Sequence, residues 1–272
     1  MANENAIQKA SAAAKTVSSS APMTMQAYVK KMEKAIAQAL PSVITPERFS
    51  RIVLSALSTN PKLAETTPQS FLGAMMTAAQ LGVEPNTPLG QAYLIPYFNG
   101  KTRQTECQFQ LGYKGLIDLA YRSGEVSMIQ AHAVFENDEF HYSYGLEPEL
   151  RHVPAQANRG DPIYYYAMFR TKDGGYGFEV MSMDDVRAHA QKFSKTFSNG
   201  PWQTNFDEMA KKTVLKRVLK LAPLKSDFAR GIASDETVKT EISEEMYTVP
   251  ATYVETDSYV VDEETGEVQD VK

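Results

Sequence analysis

Apolar positions along the chain recur first with a helical period. Met25, Tyr28, Val29, Met32, Ile36 and Leu40 fall on one face and stop at Pro41, which predicts a helix. Thr45 followed by Pro46 reads as a cap and first position, opening a second helix that carries Phe49, Ile52, Val53 and Leu57 inward. Thr67 and Pro68 repeat the signal for a third helix, through Phe71, Met75 and Leu81 to a stop at Gly82. The period then shortens. "AYLIPYFNGKTRQTECQFQ" (92–110) reads as a hairpin with an Asn-Gly turn, Cys107, Phe109 and Leu111 alternating with Glu106, Gln108 and Gln110. Lys101 and Arg103 stand at its tip. A short helix follows from about Tyr113 to Arg122, with Gly124 just past its end.

Strand patterns continue through "EVSMIQAHAVFE" (125–136) and "FHYSYG" (140–145). A second hairpin is predicted from "PIYYYAMFR" and "YGFEVMSM" around Asp173-Gly174-Gly175. Helical spacing returns in "SMDDVRAHAQKF", with Ser182 or Met183 near the cap. After a polar connector comes a helix over 206–221, where Asn205 and Glu208 have the spacing of a capping box. The order predicts an α+β fold: N-terminal helices, a central antiparallel sheet with hairpins packed on a helix, then basic C-terminal helices. Residues 1–24 read as a flexible Ala/Ser-rich segment, 25–232 as one core domain and 233–272 as a disordered acidic tail.

Charge sharpens that division. The net charge of −5 is unpromising for a nucleic-acid binder. From Ala233 onward, however, 12 Asp/Glu face 2 Lys, so the preceding 232 residues carry a net of +5. The single cysteine, Cys107, excludes an intramolecular disulfide or a cysteine zinc site and suits a reducing cytoplasm. No secretory signal or membrane span is read from the apolar pattern.

Several motifs invite a chemistry they do not complete. "FNGKT" (98–102) ends like a P-loop, but Ile95 stands where the first glycine belongs, and strand follows strand. "GYKG" (112–115) fits the GxxG clamp of a KH domain, yet a strand precedes it, and a glycine-initiated helix is the plainer reading. Glu136, Asp138, Glu139 and His141 could gather a divalent metal, although carboxylates on a strand-connecting loop are more often solvated. No nucleophile elbow or Ser/His/Asp order is present, so no catalytic residue or metal ligand is assigned.

A basic and aromatic pattern is stronger. Nine Lys/Arg lie between Lys192 and Arg230, and Lys212, Lys216 and Lys220 form a row at i, i+4, i+8. Phe206, Ala210, Val214, Val218 and Leu221 form the adjacent apolar stripe. A lone lysine row is usually a solvated face. Phe193, Phe197 and Trp202 amid Lys192 and Lys195, however, suit base stacking along a single strand.

Three stretches carry a more specific signal: "QLGVEPNTPLGQAYLIPY" (80–97), "QFQLGYKGLIDLAYRSG" (108–124) and "WQTNFDEMAKKTVLKRVLK" (202–220). In that order they resemble the RecT family of phage single-strand annealing proteins, from about Met25 to Arg230. The resemblance implies a recombinase that needs neither ATP nor another cofactor, with divalent cations able to modulate DNA binding. It implies a homo-oligomeric ring or helical filament that coats single-stranded DNA left by a 5′→3′ exonuclease and pairs it with a complementary strand. The host single-strand-binding protein is a further expected partner, and the bacterial cytoplasm the expected location. Lys101 and Arg103 would then reach DNA or the next subunit. Tyr113, Lys114, Tyr121 and Arg122 would hold backbone, Lys192, Lys195, Phe197 and Trp202 would line the groove, and Lys211, Lys212, Lys216 and Arg217 would neutralise phosphates. A passive single-strand coat without annealing activity, and a metal-dependent nuclease built on residues 136–141, are the competing readings.

Overall fold

The computed structural model describes residues 23–194, 197–198, 201–222, 233–239, 241–243, 246–253, 259–261 and 268–270. The expected flexible segment therefore lies almost wholly outside the described residues. Helix α1 (Met25–Lys31) starts at Thr24, whose Oγ1 accepts from Ala27 N, and α2 (Glu33–Ala39) follows directly. The sequence pattern predicts one helix here; Met32, at φ −87° and ψ 0°, interrupts it. The other helix signals hold. Thr45 Oγ1 accepts from Arg48 N to open α3 (Pro46–Thr59). Helix α4 (Pro68–Leu81) ends on Gly82 at φ 60°, where a Cβ would stand 2.4 Å from Pro41 Cγ. Glycine is thus required by both conformation and space.

The strands divide among separate antiparallel sheets instead of forming one. Hairpin β1 (Ala92–Asn99) and β2 (Gln104–Leu111) pairs Ala92 with Leu111 through Asn99 with Gln104. Helix α5 (Tyr113–Arg122) leads from it to β3 (Val126–Phe135), which pairs with β6 (Pro162–Thr171) and through it with β7 (Tyr176–Ser182). Between β3 and β6 lies a small ribbon of β4 (Glu139–Ser143) and β5 (Glu149–Val153). Phe140 from this ribbon packs on Tyr164 and Tyr166 of β6, at centroid distances of 5.5 and 5.7 Å.

Helix α6 (Met183–Phe193) opens with a complete capping box between Ser182 and Asp185. A short α7 (Pro201–Thr204) precedes α8 (Phe206–Leu219), which crosses the β3–β6–β7 sheet. Helix α4 covers β2. One continuous core joins Phe71 and Met75 of α4, Leu94, Phe109 and Leu111 of the hairpin, Leu116 of α5, Tyr165 of β6 and Leu215 of α8.

Beyond Ala233 the structure departs from the expected disordered tail. Strand β8 (Thr237–Val238) joins the outer edge of β2, opposite Phe109, and β9 (Thr252–Tyr253) pairs with β8. Met246 and Val249 are buried, and Lys239 is buried with its Nζ on Met246 O. A Cβ at Gly73 would stand 2.5 Å from Lys239 O, so α4 and this segment touch backbone to backbone. Acidic composition obscures the segment because its few apolar residues are isolated in sequence. A last ribbon pairs β10 (Tyr259–Val261) with β11 (Val268–Asp270).

Candidate nucleic-acid interface

Helix α8 buries Ala210, Thr213, Val214, Leu215, Val218 and Leu219 and turns its cations away from that seam. Its start differs from expectation. Asn205 makes no side-chain cap, and Glu208 is drawn instead to Lys211, Nζ to Oε1 2.6 Å. Asp207 Oδ1 accepts from the Tyr165 hydroxyl at 2.5 Å, tying the first turn to β6. Burial, reinforced by that carboxylate, keeps the Tyr165 phenol protonated above its ordinary range. At the other end Leu221 is 72% exposed, so the apolar stripe stops a turn earlier than its spacing suggests.

Two clefts flank the cationic side of α8. The larger, about 270 Å³, is bounded by His189 and Phe193 of α6, by Trp202, and by Lys212, Lys216, Arg217 and Lys220. The smaller, about 220 Å³, lies between α5 and β3, with Tyr113, Ile117, Gln130, Lys211 and Lys212 on its walls. Lys212 borders both. Burial, aided by the cations of Arg217 and Lys216, pushes the His189 imidazole below its ordinary pKa. It thus contributes a neutral ring, tilted against Phe193 at a centroid distance of 4.7 Å, rather than a charge.

The predicted residues separate by position. Tyr113, Lys211 and Lys212 share the smaller cleft, and Trp202, Lys212, Lys216 and Arg217 the larger. Trp202 is only 5% exposed and packs edge-on to Phe206, so it is a core residue whose rim reaches the cleft. Phe197 packs against the core, and its carbonyl accepts from Gln203 Nε2. Lys192 lies 5.2 Å from the Phe193 ring centre and Lys114 lies 5.9 Å from that of Tyr113. Lys195 lies outside the described residues, as do Lys225 and Arg230.

The hairpin tip and the end of α5 line neither cleft. Lys101 and Arg103 are exposed, Arg103 at φ 55° in the turn. The Tyr121 hydroxyl accepts from Ile129 N, fixing α5 to β3. Arg122 donates from Nη2 to Leu81 O at 2.7 Å and pairs with Asp118 at 2.9 Å, which caps the C-terminus of α4.

Charge in the larger cleft is largely matched. Arg217 pairs with Glu179 at 2.6 Å, and Lys216 with Asp235 at 2.6 Å and Glu236 at 3.2 Å. Burial alone would oppose the Lys216 charge, but the two carboxylates outweigh it and hold the ammonium well above the usual lysine range. Gln110, Gln130, Glu236 and Tyr253 also border the clefts without having been singled out in the sequence. Their position follows from tertiary packing, and no local pattern marks them.

The acidic cluster 136–141 has a structural use. Asp138, its side chain fully buried, accepts from Phe135 N and Ala155 N, both at 2.9 Å. Arg159 grips it through two nitrogens, and His152 Nε2 lies 3.0 Å away. Its lone pairs are committed to the protein. Among the described residues no three His, Cys, Asp or Glu side chains converge on a common point, and no helix is long and apolar enough to cross a membrane.

An α+β body that presents a cationic helix between two clefts has the outline of a DNA-binding protein. Its relatives show the family. A profile of the RecT family matches residues 47–249. The chain is 39% identical over 207 residues to Protein RecT of Escherichia coli (strain K12), covering 75% of this chain and 77% of that one. It is 31% identical over 197 residues to the uncharacterized protein YqaK of Bacillus subtilis (strain 168), covering 72% and 66%. The chain belongs to the RecT family and is a single-strand annealing protein of DNA recombination. Proteins of this family act by annealing strands, not as classical enzymes.

Proposed function

We propose that the protein holds single-stranded DNA by its phosphates along α8 and pairs it with a complementary strand without ATP or another cofactor, divalent cations only modulating binding. The observation that carries this reading is the position of Lys212 on the ridge between the two clefts, with Lys211 and Lys216 on the same helix and Lys220 at its C-cap. A backbone lying over this ridge would exchange its counterions for lysine contacts. Phosphate contacts fix register while leaving base edges open, which is what pairing requires. Tyr113 and Phe193, on opposite sides of the ridge, supply ring faces for stacking.

Continuous coverage of a strand calls for several copies, in a ring or helical filament as the family resemblance implies. The exposed hairpin tip with Lys101 and Arg103 is available to DNA or a neighbouring copy. A 5′→3′ exonuclease that generates the strand and the host single-strand-binding protein are the proposed partners, in the cytoplasm of a phage-carrying bacterium.

Lys212 and Lys220 form no ion pair among the described residues, unlike Lys211, Lys216 and Arg217. Replacing both (Lys212→Ala with Lys220→Ala) should therefore flatten the dependence of log affinity on log salt by about 1.4, at about 0.7 per phosphate contact on a single strand. Titration of a labelled oligothymidine over a salt series measures this. An unchanged slope would return α8 to the status of a solvated face.

A further inference from the structure

The larger cleft already contains an anion, supplied by the chain itself. Asp235 and Glu236 reach Lys216 from a segment that crosses the edge of β2. The two carboxylates are held differently. Asp235 is 5% exposed, and its Oδ1 accepts from Leu111 N at 2.7 Å, which anchors it to the sheet. Glu236 is the part that borders the cleft, beside Lys212 and Tyr253. Its backbone sits at φ 58°, in the left-handed region that a non-glycine residue seldom occupies. Its Oε1 lies 3.2 Å from Lys216 Nζ, and its Oε2 accepts from the Tyr253 hydroxyl. A strained residue that holds a carboxylate against a lysine in a nucleic-acid cleft occupies the place an incoming phosphate would take.

We propose that Glu236 is an internal competitor for the DNA backbone: a phosphate displaces its carboxylate from Lys216, while Asp235 remains as the anchor. This inference rests on the reading of α8 as the DNA-binding face. The exchange replaces one anion by another, so Lys216 is never left buried without a partner. Release also frees the Tyr253 hydroxyl to donate to a phosphate oxygen. The effect is a threshold. A strand that engages only the ridge gains Lys212 and Lys220, and one that seats fully gains Lys216 as well.

The test uses the full chain and a labelled oligothymidine. Glu236→Gln removes the competing charge while keeping the side-chain size. Glu241→Gln, at an exposed position in the same segment, measures the general effect of deleting one negative charge. Where the carboxylate keeps Lys216 from the strand, its removal adds up to one phosphate contact. Glu236→Gln should then bind up to about fourfold more tightly than Glu241→Gln at about 0.15 M salt, with a salt slope steeper by up to about 0.7. Tyr253→Phe leaves every charge in place and removes only the hydroxyl that holds Glu236, so it should tighten binding by a smaller factor. It decides the matter if Glu236→Gln does not fold. Equal affinity and slope for Glu236→Gln and Glu241→Gln, or no gain in Tyr253→Phe where that variant decides, overturns the proposal. If the natural chain binds the oligonucleotide and loses slope in Lys212→Ala with Lys220→Ala, such a result removes the competitor alone. If the natural chain does not bind, the reading of α8 falls with it.

Discussion

Lys212 and Lys216 stand one turn apart on the same helix face, yet their surroundings differ. Lys216 is neutralised by Asp235 and Glu236, some twenty positions along the chain, whereas Lys212 lies on the ridge between the clefts. The row is evident from i, i+4 spacing, but the carboxylates that divide it are not, because no local periodicity links 216 to 235. The same limit applies to Arg122 and Tyr121, whose charge and ring suggest a ligand until Leu81 O and Ile129 N are brought beside them. Asp138 makes the reverse point: what resembles a metal ligand in sequence is a buried junction. Hydrogen bonds from Arg159 hold its carboxyl well below the usual range, against the opposing effect of burial. A carboxyl depressed in the folded state contributes stability that is present above its unfolded pKa, about 3.9, and lost as pH falls toward the folded value. Thermal stability should therefore decline below about pH 4 more steeply in the natural chain than in Asp138→Asn. At pH 7 that variant should melt roughly 5 °C or more lower, because Arg159 loses its charged partner. Parallel melting curves in acid would contradict the assignment.

At the scale of elements, what was legible was what local chemistry decides. The Thr45-Pro46 start, the Gly82 stop and the Ser182 cap all form as their residues dictate. The Asn205 capping box does not form: the asparagine side chain accepts no cap bond, and Glu208 pairs with Lys211. Strand β2 keeps its alternation, but its polar face is also covered. Gln108 is fully buried, and Glu106 is buried as an acceptor for Tyr97, Asn99 and Thr102. Strand β5, "ELRHV", is too polar to signal itself and pairs only with β4. The two glycines of "GYKG" prove to be packing residues. A Cβ at Gly112 would stand 2.1 Å from Gly90 O, and one at Gly115 would stand 2.0 Å from Gln91 O. Backbone meets backbone there, so no side chain can move aside. Gly115→Ala should destabilise the fold by about 2–3 kcal/mol, measured by chemical denaturation, and should lower DNA binding only in proportion to the folded fraction. A stable Gly115→Ala protein that has lost DNA binding would instead favour a GxxG clamp.

For the molecule as a whole, the α+β class and the order of elements follow from the sequence, while the partition into separate sheets does not. Strand pairing depends on contacts far apart in the chain, which alternation alone leaves undetermined. The acidic segment shows this most clearly. It has the composition of a disordered tail, yet β8 closes the edge of β2, and Met246 and Val249 pack inward. The family match ends at residue 249 and so includes this part of the segment. The resulting molecule sets a basic ridge against its own carboxylates. On the proposed function this surface brings complementary strands together, beyond merely covering one of them. The most direct measurement is the rate at which two complementary labelled oligonucleotides pair, without ATP or a nuclease, in the presence of the natural chain and of Lys212→Ala with Lys220→Ala. The natural chain should accelerate pairing above the protein-free rate, and the double variant should lose most of that acceleration while remaining folded. Pairing slowed by the natural chain would show a passive coat, and equal acceleration by both proteins would place the annealing surface elsewhere.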